Sequence, residues 1–331
     1  MSDLARLVIA VGGIGLCLAR LAVAQNRVSK DEFLARYEPA AKRLEEFYSN
    51  VEMRAVSTSA EWPAYNDTGG RRSTRVVFRA NGDLMRVDAT IVSEDDSLAK
   101  GRTSVRVANP KGSFLAGRGA GKADFVLLGM DPDYGASVQT IRATHLAVAA
   151  PFAWLGAPIA DTIRSDAAIT LTRIEETSQD GEPVVKVFWE DQRAVGWFLF
   201  LKDRSWALRE YSFWAKDLTP EKLRTQPDRY FVSRAAIEYG DTHDGIPLLK
   251  TAKYWRETGP ARQPRLVETI VVEELVAGPV PEREFTLAAL GIPSAEQTSN
   301  TVRPALLFVL GTTALILAYL VLRRSLRLRR Q

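Results

Sequence analysis

Between Pro304 and Leu322 the chain runs for nineteen residues, PALLFVLGTTALILAYLVL, without a charged side chain. At about 1.5 Å of rise per residue, that is about 28 Å of helix, the thickness of a bilayer's hydrocarbon core. A helix buried in a soluble core would keep a polar stripe, and this run offers only Thr312 and Thr313. The expectation is a single transmembrane helix over 304–322, with Leu306, Leu307, Phe308, Leu315, Ile316 and Tyr319 as membrane-anchor residues. Arg323, Arg324, Arg327, Arg329 and Arg330 follow at once. Clusters of Lys and Arg beside a span stay on the cytoplasmic side. Residues 323–331 are therefore expected as a basic cytoplasmic tail, and residues 25–303 outside.

The opening residues fit the same topology. Arg6 precedes the apolar stretch Leu7–Ala19, and Ala22-Val23-Ala24 has the small-x-small pattern of a signal-peptide cleavage site. Residues 1–24 read as a signal peptide, which makes the protein single-pass in the cytoplasmic membrane with an extracytoplasmic, periplasmic domain. The sole cysteine, Cys17, lies in that leader behind Leu16, where a lipoprotein site would want a small residue. Without it the mature chain has no thiol for disulfides, catalysis or metal ligation.

A sequence pI near 9.1 invites a nucleic-acid reading until the charges are located. The chain is net +4, but the terminal arginines carry five positive charges and the first 24 residues one net, so the stretch between is net −2. The basicity belongs to the ends, and no nucleic-acid partner is expected.

Ser29-Lys-Asp-Glu32 is a capping box that opens an amphipathic helix carrying Phe33, Leu34 and Tyr37, with a second helical stretch expected after Pro39. From Asn50 the apolar period becomes two. Strands are expected near 50–58, 73–80, 83–91, 102–108, 113–118 and 123–128, then near 168–177, 183–191, 194–202, 205–215, 229–240, 246–257 and 264–276. Asn81-Gly82, Asp180-Gly181 and Asp244-Gly245 are hairpin signals, because a tight two-residue turn needs positive φ. Between the two strand groups, 137–165 carries the proline-broken apolar run LAVAAPFAWLGAPIA. It reads either as core filling or as a lid over an apolar cavity. Gly278–Asn300, with five prolines or glycines, reads as part of a linker over 278–303.

The segments that imitate chemical motifs fail on detail. Ala116–Lys122 (AGRGAGK) lacks the first glycine of a phosphate loop and has Ala123 where the magnesium-binding hydroxyl belongs. Asp131–Gly135 resembles a calcium loop, yet Arg142 stands in place of the bidentate glutamate. His145 and His243 are the only histidines; His145 has no ligand-spaced partner, and His243, in the tight turn Asp241–Gly245 with carboxylates beside it, reads as a solvated turn ahead of a weak metal site. Glu175-Glu176 and Glu273-Glu274 are adjacent strand residues pointing to opposite faces, so neither pair can share acid/base work. The expectation is a protein that is not an enzyme and uses no cofactor or metal.

The order of elements carries a resemblance. A capped helix (SKDEFLARYEPAAKRLEEFYSN) precedes a long meander (VEMRAVST, RVVFRANGDLMRVD), then a helical insert and further strands. This organisation resembles the outer-membrane lipoprotein carrier superfamily, the LolA/LolB/RseB-like fold, over residues 29–277. The resemblance implies an incomplete barrel whose helices plug an apolar concavity that takes acyl chains. A membrane span departs from the freely diffusing carriers and implies holding or sensing a ligand beside one membrane.

The fold expectation is mainly β (α+β): one strongly curved antiparallel sheet, an incomplete β-barrel, over 25–277, with the N-terminal helix on its concave side. VVKVFWED and AVGWFLFL are apolar on both faces and need cover on both. If a lipid or lipoprotein acyl chain supplies the concave cover, Trp154, Phe188, Trp189 and Trp197 should line the cavity. Phe198, Trp206, Phe213 and Trp214 complete that candidate set. Expected partners are the bilayer, an acyl chain and envelope proteins. The second reading is a non-catalytic envelope scaffold whose aromatics form a solid core.

Overall fold

The computed structural model of the chain describes residues 29–61, 71–93, 100–110, 112–131, 133, 137–138, 140–142, 151–165, 169–226, 229–258 and 263–293. The expected signal peptide, the span at 304–322 and the arginine tail lie outside these residues. Among the described residues no helix is long and apolar enough to cross a membrane.

Helix α1 spans Lys30–Tyr48, and the Ser29 side chain accepts a hydrogen bond from the Glu32 backbone at 3.1 Å. Pro39 sits inside this helix and does not start a second one. Its ring occupies the exposed side, while Phe33, Leu34, Tyr37, Ala41, Leu44 and Tyr48 keep an unbroken buried stripe. The packing of that stripe holds the helix together across the missing amide.

Six strands follow as a meander: β1 (Val51–Glu61), β2 (Arg71–Asn81), β3 (Leu84–Ile91), β4 (Thr103–Asn109), β5 (Gly112–Arg118) and β6 (Val126–Asp131). An insert carries the two-residue strands β7 (Ala153–Trp154) and β8 (Ala157–Pro158), then helix α2 (Ile159–Ser165). The second meander is β9 (Thr170–Gln179), β10 (Glu182–Glu190), β11 (Ala194–Leu201), β12 (Ala207–Ala215), β13 (Val232–His243), β14 (Ile246–Thr258) and β15 (Gln263–Ala277). Helix α3 (Pro220–Thr225) interrupts it between β12 and β13. The 123–128 strand expected from the sequence forms three residues later, because Gly119–Phe125 is spent on the turn.

Thirteen strands make one antiparallel, strongly curved sheet in the order β6-β5-β4-β3-β2-β1-β15-β14-β13-β12-β11-β10-β9. Every neighbour is consecutive in sequence except one. The first strand pairs with the last, from Val51 opposite Ala277 to Glu61 opposite Leu266, and so welds the two meanders together. β6 and β9 remain edges, and the sheet is not a closed barrel.

The concave face holds the main core. Its inward residues on both meanders (Phe78, Val87, Val187, Phe200, Ile237 and Ile270 among them) share one buried cluster with the α1 stripe and with Phe152, Trp154, Ile159 and Ile163 of the insert. Salt bridges from Arg36 to Glu176 and from Arg164 to Glu38 tie α1 to β9 and α2.

The convex face of the first meander has its own cover. Residues 278–293, expected within a linker, are folded: two 3-10 turns, Glu282–Phe285 and Leu287–Leu290, lie on the sheet. Val280, Phe285 and Leu290 pack with Val105, Val107, Phe114 and Ala116 in a second buried cluster. The prolines and glycines that suggest a tether are the turn residues of a clasp. Arg86 fastens it, donating to Asp88 at 2.7 and 2.9 Å and to the Glu284 carbonyl at 2.8 Å.

Candidate functional site

The concave face divides into a filled half and an open half. In the filled half, the tight β7–β8 hairpin inserts Trp154 among Trp189, Phe198 and Phe213, with ring centroids 4.9, 5.5 and 5.3 Å away. Its turn is Leu155-Gly156, with φ of 50° and 86°. Leucine seldom adopts that left-handed conformation, so the plug is held by its tryptophan and not by its turn. The indole N–H groups of Trp154 and Trp189 are both buried and, among the described residues, have no hydrogen-bond partner. A second stack joins Trp206 to Phe33, Tyr37 and Phe200, with Arg36 lying 5.4 Å over the Trp206 ring. Burial without a partner for its hydroxyl pushes the Tyr37 phenol far above the usual tyrosine range, with the charge of Glu45 adding to the effect.

In the first meander, the inward side of the strands continues from Phe78 and Val87 to Thr74, Ala89, Ile91, Ser104 and Gly117. There the concave face opens into a trough of about 550 Å³. Ala89, Ile91, Gly117, Val126 and Leu128 line its apolar part, and Arg72 and Arg102 bring cations to it. Leu128 lies flat over Gly117, where an added Cβ would meet its Cδ1 at 2.8 Å. Val126 and Leu128 are each 62% exposed, so the trough is open to solvent. Arg118 stacks on Phe125 at 4.7 Å. Among the described residues, Arg72 and Arg102 make neither a salt bridge nor a side-chain hydrogen bond. The rejected phosphate-loop imitation supplies three trough residues, Gly117, Arg118 and Gly119. A smaller hollow of about 230 Å³ adjoins along the same strands, where Arg106 and the buried pair Ser113–Ser137 (Oγ to Oγ, 2.6 Å) meet. Among the described residues there is no group of three side chains suited to a metal.

An uncharged floor beside unpaired guanidinium groups is chemically suited to an amphiphile. The floor removes hydrocarbon from water, and the arginines take a carboxylate or phosphate through paired N–H donors.

No known family's profile matches the chain, and no curated protein matches it. Among solved structures it is similar to a LolA superfamily protein from Nitrosomonas europaea, at 10% identity and a TM-score of 0.41, over 77% of this chain and 99% of that one. It is also similar to the Mycobacterium tuberculosis lipoprotein LppX, at 10% identity and a TM-score of 0.28, over 76% and 98% of the two chains. MucB matches at 14% identity and a TM-score of 0.27, over 79% of this chain and 64% of its own.

The aromatic residues singled out in the sequence separate onto two faces. Trp154, Trp189, Phe198, Phe213 and Trp206 all pack in or against the concave core. Phe188, Trp197 and Trp214 do not join them. Phe188 pairs opposite Trp197, and both alternate with inward neighbours, so they point to the convex side. Trp214 follows the inward Phe213 and shares that outward direction. These three cannot line the same cavity, because a strand turns successive side chains to opposite faces. Phe188 and Trp197 have cations over them: Arg173 lies 4.1 Å from the Phe188 ring, and Lys186 Nζ lies 4.1 Å from the Trp197 ring. The long basic side chains lay methylene stems on the outer face and keep their charges in water.

The trough escaped the sequence reading. Its walls come from five strands, and its floor is made of small residues that no aromatic pattern marks. The one local sign was the uncharged run Val126–Met130.

Proposed function

We propose that this is a non-catalytic, membrane-anchored domain that holds or senses a lipid-type amphiphile, an acyl chain with an acidic head, on the concave face of its sheet. The observation that carries the reading is the 550 Å³ trough, apolar along Ala89, Ile91, Gly117, Val126 and Leu128 and faced by Arg72 and Arg102. Its volume falls within the roughly 300–1,000 Å³ of small-ligand sites. Burying an alkyl chain contributes about 0.8 kcal/mol per methylene, so ten methylenes give about 8 kcal/mol before ordering costs, a micromolar affinity at best. The unpaired arginines would add to that and select the head group. The apolar run at 304–322, with its arginine tail, supports anchoring in the cytoplasmic membrane with the domain on the outer side.

The test is native mass spectrometry of the full-length protein extracted in a mild detergent. The wild type should carry an anionic lipid. Ile91→Asp should lose it, and the double variant Arg72→Gln/Arg102→Gln should shift retention towards neutral lipids. A wild type without lipid, or variants that retain the same lipid at the same occupancy, would overturn the reading.

A further inference from the structure

The line of trough residues continues across the weld between the meanders. Thr74, at the trough wall, lies opposite Ser57 on β1, and Ser57 donates to Oε1 of Glu268 on β15 at 2.8 Å. One row along, Arg72 of the trough stands opposite Ser59, and Ser59 stands opposite Glu268. Ile270, two residues on from Glu268, and Tyr254, directly opposite it, pack in or against the concave core. Glu268 therefore shares the concave face with Arg72, about 10 Å away across two strand spacings. Its carboxyl leans from β15 towards β1, and so towards the trough.

Among the described residues no cation pairs with this carboxyl, and nothing meets its second oxygen, Oε2. The charged side chains described level with it on the same face are Arg72 on β2 and Arg256 on β14. Arg256 is engaged elsewhere, donating to the Tyr254 hydroxyl at 3.2 Å and lying 4.6 Å over the Phe231 ring. β1 contributes the hydroxyls of Ser57 and Ser59.

We propose that protonated Glu268 is the second head-group contact of the trough, its Oε2–H donating to the acidic head of an amphiphile that Arg72 meets from the other side. The assignment rests on the trough reading above and adds a proton to it. A neutral carboxyl offers one donor, whereas a carboxylate offers acceptors alone and repels an anion. Burial already raises this carboxyl above its ordinary value, with the Ser57 hydrogen bond opposing. An anion bound beside it favours the protonated form further, so head and proton bind together. Retention is therefore greatest below the folded value of Glu268 and is lost as the pH rises through it.

The probe is a lysophosphatidylglycerol, a single acyl chain whose phosphodiester stays ionised throughout, added to the full-length protein in a mild detergent. Native mass spectrometry reads its occupancy at pH 4.5 and pH 8. A hydrogen bond to a charged group accounts for about tenfold in affinity, so the wild type should bind about tenfold more weakly at pH 8. Glu268→Gln should bind equally at both, because its amide donates whatever the pH. Glu273→Gln, exposed on the same strand, should keep the wild-type difference. A wild type that loads equally at both pH values overturns the proposal and leaves the trough reading standing. So does a Glu268→Gln variant that keeps the pH difference. A wild type that takes no lysolipid at either pH removes the trough reading and this proposal together.

Discussion

The rings of Trp154 and Trp189 lie 4.9 Å apart, inclined at 59°, and among the described residues neither indole N–H has an acceptor. The contact is therefore apolar packing alone. A buried unsatisfied donor costs about 1–3 kcal/mol, whereas losing a buried tryptophan to alanine costs about 3–5 kcal/mol. Trp154→Phe keeps an aromatic ring against Phe198 and Phe213 and removes the unsatisfied group. Its melting temperature should stay within a few degrees of the wild type, while Trp154→Ala should lose about 3–5 kcal/mol. Thermal melts followed by near-ultraviolet circular dichroism would show both. If phenylalanine costs as much as alanine, the indole N–H has a partner and the packing account fails.

Gly196 makes that tryptophan's place. It pairs directly opposite Trp189, and a Cβ there would sit 2.6 Å from the Ser212 carbonyl oxygen, 2.7 Å from Trp189 Cζ2 and 2.8 Å from Phe213 Cβ. One of these contacts is backbone and cannot swing away. Gly196→Ala should therefore force β11 and β12 apart or expel the indole, destabilising by about 1–3 kcal/mol as overpacked cores do. Tryptophan emission should shift to the red as Trp189 meets water. An alanine variant with unchanged stability and emission would refute the close approach.

The legible parts of this fold were local. Asp180-Gly181 and Asp244-Gly245 form the turns their chemistry demands, with positive φ at all four residues, whereas Asn81 ends β2 opposite Leu84 and the first turn is Gly82-Asp83, one residue later than the sequence suggests. Alternation placed the strands within a few residues, and the capping box placed the start of α1. The pairing of β1 with β15 joins residues more than two hundred positions apart, and nothing local announces it. The clasp at 278–293 was hidden for another reason. Its apolar anchors Val280, Phe285 and Leu290 recur every five residues, a spacing that marks neither a strand nor an α-helix, while its prolines and glycines imitate a tether. The aromatic cluster was half legible: composition marked the residues, but faces follow from register, which sent Phe188, Trp197 and Trp214 outward.

Glu268 gives the concave face a pH dependence. Burial raises its carboxyl above the ordinary value of 4.5, and the hydrogen bond from Ser57 at 2.8 Å only partly offsets this. An acid whose folded value is raised favours the folded state when protonated. Its contribution is complete below about pH 4.5 and is lost as the pH rises through the folded value. Glu52 works in the opposite sense: burial raises it, but Arg79 and Arg54 together outweigh that and hold it low, so its contribution is lost in acid. Glu268→Gln keeps an acceptor for Ser57 and removes the titration. The variant should melt higher than the wild type at pH 8, and the gain should vanish near pH 4. A gain that is constant across that range, or absent at pH 8, would contradict the assignment.

Arg86 decides whether the clasp stays down. It is buried, chelates Asp88 through two N–H groups and reaches across to the Glu284 carbonyl, so the chain returning from β15 hangs on one guanidinium. Asn81 adds a lighter tie, its side-chain amide donating to the Val280 carbonyl at 2.7 Å. Arg86→Met fills much of the same volume but leaves Glu284 without its donor and Asp88 with Arg79 alone, which remains at 2.8 Å. Breaking a buried pair from one side costs about 3–5 kcal/mol, and the surviving Arg79 contact should keep this case near 3 kcal/mol. The loss should be local first. Amides of 280–291 should exchange with deuterium well before those of β10–β12, and a protease should cut within 278–293 while the sheet survives. Asn81→Ala should show the same pattern more weakly. Uniform loss of protection across both meanders would mean that Arg86 supports the sheet itself, and that the clasp does not open as a separate unit.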